Sequence, residues 1–312
     1  MPEPSGVEDR STLVIGNPRA GRGTVGRGFG ELLERLERSG LRTTGELSTR
    51  RGHASELARQ ARVEGVGMVV AVGGDGTVHE VVNGLLDEGL HQRLPIPVLG
   101  VVPGGSGCDY ARTLSLPSDL ADAAATLGSS NPPRVVDVGE VHCQGIEGRL
   151  RRLFVNVAEV GIGAEVAYRA SRLPRACGPA RYVAGFALTL PRHRSSDSWV
   201  ETTTDRYEGS LTNLVVAIGQ YFGSGMRIAP RADPGDGDFD VQVQFGSKLD
   251  YALAMPKVFR GTHVPHPRVL EWRAGEIEVV CDPPARLEAD GEVLGTTPAS
   301  FRILPAALRV KT

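Results

Sequence analysis

Met68-Val69-Val70-Ala71-Val72-Gly73-Gly74-Asp75-Gly76-Thr77 runs directly into Val78-His79-Glu80-Val81-Val82-Asn83-Gly84-Leu85. The first five residues are uninterruptedly apolar and read as a buried strand. Val78, Val81, Val82 and Leu85 recur at helical spacing and read as one helix face. Three glycines at a strand-to-helix turn let backbone approach something bulky. The helix start offers unpaired N–H groups and the positive end of a dipole, which suits phosphate. An acid inside such a turn would repel phosphate unless a cation sat between them. Asp75 is therefore a candidate Mg²⁺ partner, and the turn reads as a phosphate cradle that uses no lysine.

Outward from this turn, strands alternate with helices. Thr12–Ile15 is a first strand, stopped by Gly16-Asn17-Pro18. Helical spacing follows over 29–38, a strand over 41–47, a helix over 54–63, the 68–72 strand, and a helix over 79–86. A fourth strand over 97–102 ends in Pro103-Gly104-Gly105-Ser106-Gly107, with helices over 109–114 and 120–127. The alternation predicts a doubly wound parallel α/β nucleotide-binding domain, with its glycine loops at the strand ends where such sheets bind ligands. After about residue 134 short alternating runs appear at 134–138, 152–157, 211–218, 239–245, 277–280 and 285–289. They predict an antiparallel β-sandwich-like domain with a helical insert around 164–190. The boundary is placed between 1–140 and 141–312, with the last strand free to return to the first domain.

The bulk numbers narrow the function. A chain of 312 residues with net charge -2 has no general nucleic-acid footprint. Glycine, at 40 residues, is well above its usual ~7%, and it clusters in loops rather than in low-complexity tracts. Cys108, Cys143, Cys177 and Cys281 lie far apart without a Cys-x-x-Cys pair, so reduced thiols are expected. Residues 1–10 read as a polar tail without a signal-peptide core. No apolar run is long enough to span a bilayer.

Three loops are candidate phosphate cradles: Asn17 to Gly23, Gly73 to Thr77, and Gly104 to Gly107. Each alone is an ordinary turn; three of them following strands of one α/β half make a site. A Walker A loop is excluded by the absence of Gly-Lys-Ser/Thr. Gly21-Arg22-Gly23-Thr24-Val25-Gly26 matches a dinucleotide fingerprint, with Glu46 about twenty residues on, but Asn17-Pro18 intrudes between strand and glycines. Asp233-Pro234-Gly235-Asp236-Gly237-Asp238 is either a divalent-cation loop or a solvated turn. Asp137, in an apolar run at the domain boundary, is either solvated at a strand end or paired. Glu288-Ala289-Asp290-Gly291-Glu292 has the Asp-Gly signal of a hairpin. Segment 166–196 has no acid and carries Arg169, Arg172, Arg175, Arg181, Arg192 and Arg194 among apolar residues. It is a candidate for contact with anionic lipid or a solvated helix face.

Taken together, these motifs resemble the diacylglycerol kinase catalytic-domain family, which includes bacterial soluble lipid kinases and the sphingosine and ceramide kinases. Gly73-Gly74-Asp75-Gly76-Thr77 with Glu80, Asn83 and Gly84 is similar to its signature. Asn17, Pro18 and Gly21 resemble its first nucleotide loop, and Thr49-x-x-Gly52-His53-Ala54 a segment bordering the nucleotide. Pro103-Gly104-Gly105-Ser106-Gly107-Cys108-Asp109-Tyr110-Ala111-Arg112 resembles its second loop, with Cys108 where many relatives have Asn. Gly223 to Pro230, then Asp236-Gly237-x-Phe239-Asp240 and Asp290-Gly291-Glu292, resemble its second-domain motifs. The resemblance covers about 11–305.

It implies ATP- and Mg²⁺-dependent phosphorylation of a lipid hydroxyl in a cleft between the domains. Nucleotide contacts are expected from Asn17, Pro18, Gly21, Thr49, Gly73, Gly74, Asp75, Gly76, Thr77, Glu80, Gly104 and Ser106. Glu292 is expected as general base, Asp75 and Asp137 near catalytic Mg²⁺, and Asp233, Asp236 and Asp238, together with some backbone carbonyls, at structural Mg²⁺. The resemblance further implies a cytoplasmic enzyme, peripheral to the inner face of the membrane, with no nucleic-acid partner; a homodimer is compatible with it. The alternatives are an NAD kinase-like or dinucleotide-binding enzyme, and a catalytically silent lipid- or nucleotide-binding regulator.

Overall fold

The computed structural model describes residues 11–87, 89, 94–105, 107–173 and 180–312. Residues 1–10, Ser106, Arg175 and Cys177, all singled out by the sequence reading, lie outside that set. The chain divides into two units. One holds residues up to 105, 115–135 and 308–312; the other holds 106–114 and 136–307.

The first unit is a parallel sheet. Its strands are β1 (Ser11–Gly16), β2 (Arg42–Leu47), β3 (Met68–Gly73) and β4 (Val98–Pro103), in the order β4-β3-β1-β2. Helices α1 (Thr24–Arg38), α2 (His53–Val63) and α3 (Asp75–Leu85) connect them. Of the two short helices that follow, α4 (Asp109–Thr113) belongs to the second unit and α5 (Leu120–Gly128) to the first. Val310 pairs with Leu99 as a further parallel strand beside β4. Strand order reverses between β1 and β3, and the ends of these strands flank that switch point, where doubly wound sheets take ligands.

Apolar periodicity explains the packing. Val25, Phe29, Leu32 and Leu36 of α1 form a core with Val14, Val70, Val72, Val102 and Leu127. Helix α1, expected from 29, starts at Thr24, and Val25 in its first turn already belongs to the apolar face. The helix expected from His79 starts at Asp75, so the acid and two of the glycines sit at its N-terminus.

The second unit is antiparallel. Strands β5 (Arg134–Gly145), β6 (Gly148–Phe154) and β7 (Val157–Gly161) lead into helices α6 (Ile162–Ser171) and α7 (Ala180–Thr189). Next come β8 (Ser196–Glu201), β9 (Arg206–Leu211), β10 (Asn213–Ala217), β11 (Phe239–Gln244) and helix α8 (Lys248–Arg260). The chain finishes with β12 (Val269–Ala274), β13 (Glu276–Asp282), β14 (Arg286–Ala289) and β15 (Glu292–Val310). One path of pairing runs β12-β11-β10-β7-β14-β15, and a branch from β15 runs through β13 to β8 and β9. Between the layers Phe154 stacks on Phe239 at 5.8 Å, and Phe301 meets Phe154 edge-on at 6.3 Å. Full burial of each ring contributes about 2–3 kcal/mol.

The run expected over 152–157 is two strands, β6 and β7, separated at Val155-Asn156. The runs expected at 134–138, 211–218, 239–245, 277–280 and 285–289 fall on β5, β10, β11, β13 and β14, but β8, β9, β12 and most of β15 carry too many polar residues or prolines to declare themselves.

Candidate active site

In the first unit the loops after β1, β3 and β4 are tied together by backbone. Asn17 N donates to Val72 O at 2.9 Å, and Gly104 N donates to Gly73 O at 2.8 Å. Asn17 Oδ1 accepts from Arg19 N at 3.1 Å, which folds the loop back on itself. A side chain at Gly21 (φ +58°) would stand 2.7 Å from Gly104 O, so two predicted cradles touch through a glycine that permits it. Pro18 packs against Gly26 of α1, where a Cβ would be 3.1 Å away. Of the loops expected to converge, Asn17 to Gly21, Gly73 to Thr77 and Gly104 do so.

Gly74, in extended conformation, precedes α3, and Thr77 N donates to Gly74 O at 2.9 Å. The first N–H groups of a helix have no partner within it, which leaves this turn suited to anionic oxygen. Asp75 is half-buried in the first turn and Gly76 is exposed.

Two predicted nucleotide residues have structural partners instead of open surroundings. Glu80 accepts from Gly52 N at 3.0 Å and Ala54 N at 3.2 Å, capping the start of α2 from α3. Thr49 N donates to His53 Nδ1 at 3.2 Å. The two contacts fix the Thr49–Ala54 segment as the next rim of the same unit.

In the second unit, Asp137 is buried and its carboxylate is engaged on both oxygens. Gly237 N donates to Oδ2 and Ala306 N to Oδ1, each at 2.8 Å, while Asp137 N donates to Pro234 O at 2.7 Å. It clamps the acidic loop to a kink in β15, where Ala306 takes φ +53°. In the acidic loop, Asp233 Oδ1 accepts from Gly235 N and Asp236 Oδ1 from Asp238 N, both at 3.2 Å. Arg273 is hydrogen-bonded to Asp236 and lies 3.6 Å from Asp238. Among the described residues no three His, Cys, Asp or Glu side chains converge as metal ligands. In this loop the three carboxylates expected at structural Mg²⁺, Asp233, Asp236 and Asp238, lie close together in sequence, with Asp233 and Asp236 held on local backbone N–H groups and Asp236 also on Arg273.

A single-carboxylate site at Asp75 does fit Mg²⁺, which keeps several waters and takes one or two carboxylates together with substrate phosphate oxygens.

The Asp290-Gly291 pair makes the hairpin its composition predicts. Both residues have positive φ, +50° and +81°, between β14 and β15, as a two-residue primed turn requires. The hairpin is also anchored. Asp290 accepts from Val155 N and Asn156 N, each at 3.0 Å, and from Val157 N at 3.3 Å. The break between β6 and β7 thus supplies the donors, and half-buried Glu292 follows at the first position of β15. A second anchor holds the Gly223-Ser224-Gly225 turn: buried Asp109 accepts from Ser224 N at 2.7 Å and pairs with Arg112. Neither Asp109 nor Asp290 was assigned a role from sequence. The available signal was an acid next to glycines inside each motif.

Comparison with known proteins gives a consistent picture. The family model described as Diacylglycerol kinase catalytic domain matches residues 11–141. That described as YegS C-terminal NAD kinase beta sandwich-like domain matches 156–312. A diacylglycerol kinase of Staphylococcus haemolyticus (strain JCSC1435) is 30% identical over 302 residues, covering 96% of this chain and 87% of the relative. One of Bacillus subtilis (strain 168) is 29% identical over 291 residues, covering 92% and 91%. A crystal structure of a diacylglycerol kinase from Bacillus anthracis str. Sterne superposes with TM-score 0.72 at 20% identity, covering 98% of both chains. Yeast NADH kinase complexed with NADH superposes at TM-score 0.51 and 8% identity, covering 96% of this chain and 82% of that one, a likeness of fold.

Proposed function

The chain belongs to the diacylglycerol kinase family and is a lipid kinase; on that premise we propose that it transfers the γ-phosphoryl group of ATP, with Mg²⁺, to a hydroxyl of diacylglycerol or a closely related lipid. The observation that carries the reading is the backbone knitting of the Asn17, Gly73 and Gly104 loops at neighbouring parallel strand ends. The names of the full-length relatives support diacylglycerol as acceptor class.

In this proposal, backbone N–H groups of Gly74–Thr77 and of the Gly104 loop hold phosphate oxygens. When bound, Mg²⁺ draws negative charge off the transferring group, and Asp75 is the residue that would hold it. The lipid hydroxyl oxygen forms a bond to the γ-phosphorus as the bond to the ADP oxygen breaks, and Glu292 takes the hydroxyl proton. The transition state is loose and needs alignment more than basicity, so a carboxylate suffices as acceptor. Glu292→Gln tests it: ATP binding is retained, while kcat for lipid phosphorylation falls at least about 100-fold. Unchanged turnover sinks the role. NAD⁺ phosphorylation without lipid phosphorylation would favour the NAD kinase-like alternative.

We also propose peripheral contact with a cytoplasmic membrane face through the 166–196 region together with α8. Val183 and Leu188 on α7 and Leu249, Leu253 and Phe259 on α8 are exposed, and Lys257 and Arg260 lie in the last turn of α8. Among the described residues no helix is long and apolar enough to cross a membrane. Salt-sensitive cosedimentation with anionic vesicles, absent with zwitterionic ones, is the expected result; equal binding to both overturns the charge argument.

A further inference from the structure

Glu159 and Glu288 have no part in the mechanism above, yet both are buried in the strands beneath the turn that carries Glu292. They stand directly opposite each other on antiparallel β7 and β14, so their side chains leave the same face of the sheet. Glu159 Oε1 accepts from Asn213 Nδ2 at 2.8 Å. Asn213 Oδ1 accepts from Gly163 N at 3.0 Å, which fixes the amide's orientation. Gly163 leaves the room: a Cβ there would lie 2.3 Å from the Glu159 carboxyl carbon. On the other strand, Glu288 Oε2 accepts from Gly291 N at 2.7 Å. That bond reaches the middle of the Asp290-Gly291 turn, one residue before Glu292.

The charged neighbours are otherwise engaged. On α6, Glu165 pairs with Arg169 and with Arg286 of β14, and Arg286 lies over the Tyr168 ring. Asp290 holds the Val155–Val157 N–H groups. On α8, Tyr251 is raised by burial and then by Glu159, and Asp250 pairs with Arg268. On β15, Glu292 opens the strand. No cation is bonded to either buried carboxyl among the described residues. Two neighbouring carboxylates in such surroundings cannot both ionise. Burial pushes Glu159 up to about 7 against the Asn213 hydrogen bond. Burial, and then Glu159, push Glu288 well above the ordinary carboxylate range.

We propose that Glu288 is a positioning residue for Glu292: buried opposite Glu159, its carboxyl holds the Gly291 N–H and so aims the turn. Loss of the second proton at alkaline pH sets two buried charges against each other and loosens the turn. The inference rests on the reading of Glu292 as proton acceptor. Its test therefore has one arm that needs no activity.

Infrared spectra of the full chain without substrate, taken at about pH 9, above the Glu159 value of about 7, should contain a protonated-carboxyl C=O band that Glu288→Gln removes. In lipid phosphorylation, Glu288→Ala should lower kcat about 10- to 100-fold with KM for ATP unchanged. Glu288→Gln, which keeps a neutral acceptor, should restore most of kcat and remove the alkaline fall in its pH profile. Glu159→Gln should also remove that fall, and it carries the kinetic arm if Glu288→Ala does not fold. Absence of the band in the wild-type protein overturns the proposal, as does Glu288→Gln falling as far as Glu288→Ala. A chain that phosphorylates no lipid overturns the functional reading, while the band still decides the pair.

Discussion

Thr77 fills the space a side chain at Gly73 would need: a Cβ there would lie 2.3 Å from Thr77 Oγ1 and 2.9 Å from its Cβ. The glycine is thus required by packing within the turn as well as by any ligand. Gly73→Ala should cost about 1–3 kcal/mol of stability and weaken ATP binding by at least tenfold, measured by melting and by nucleotide titration. Cys108 makes a different point. Its sequence position implied only a lost amide, but the structure puts its φ at +50°, just before α4. That region costs most side chains about 1–2 kcal/mol and is visited more readily by Asn. Cys108→Asn should therefore stabilise the protein by about 0.5–1 kcal/mol; an unchanged or lower melting temperature would contradict the backbone argument. Such a conformational requirement is invisible in a residue string unless the position holds Gly or Asn.

At the level of elements, the acids decide which segments stay together. Glu80 joins α3 to the start of α2, and Asp137 joins the acidic loop to β15. Asp137→Ala would leave the Gly237 and Ala306 N–H groups without their acceptor, at about 2–4 kcal/mol for the two. Chemical denaturation should report that loss, and a cost below about 1 kcal/mol would mean water replaces the clamp. These long-range pairings also mark the limit of sequence reading. The glycine turns and the β1, β3 and β4 strands were legible because local spacing writes them directly. Helix α8 was not: Pro256 lies inside it and interrupts the expected helical run, although Ser247 and Asp250 form a capping box. In β15, Pro298 and Pro305 hide a single strand of 19 residues. Glu292 was found through its motif. Glu288, four positions earlier on the companion strand, reads in sequence as part of an acidic turn, because burial depends on partners far away in sequence.

For the molecule as a whole, the buried carboxyls set a pH dependence opposite to that of a salt-bridged acid. Between its ordinary value of 4.5 and its folded value of about 7, Glu159 keeps a proton in the native state that the unfolded chain releases. The native state binds more protons, so this contribution to stability is present at low pH and is lost as pH rises through that window. Compared with the wild-type protein, Glu159→Gln should gain stability at pH 8 relative to pH 5 in urea titrations; parallel curves would rule the effect out. The other whole-chain feature is the division of β15. Residues up to 307 group with the second unit and 308–312 with the first. There Val310 pairs with Leu99, and Lys311 Nζ donates to Ser129 O at 2.8 Å. During synthesis the first unit's own strands emerge early, yet β4 waits for its neighbour until the intervening 172 residues, 136–307, have been made. At roughly 5–20 residues per second that is about 10–35 s with one sheet edge uncovered. A ribosome that stalls late on this message would hold out a first unit with an open seam, a natural target for chaperones and proteases.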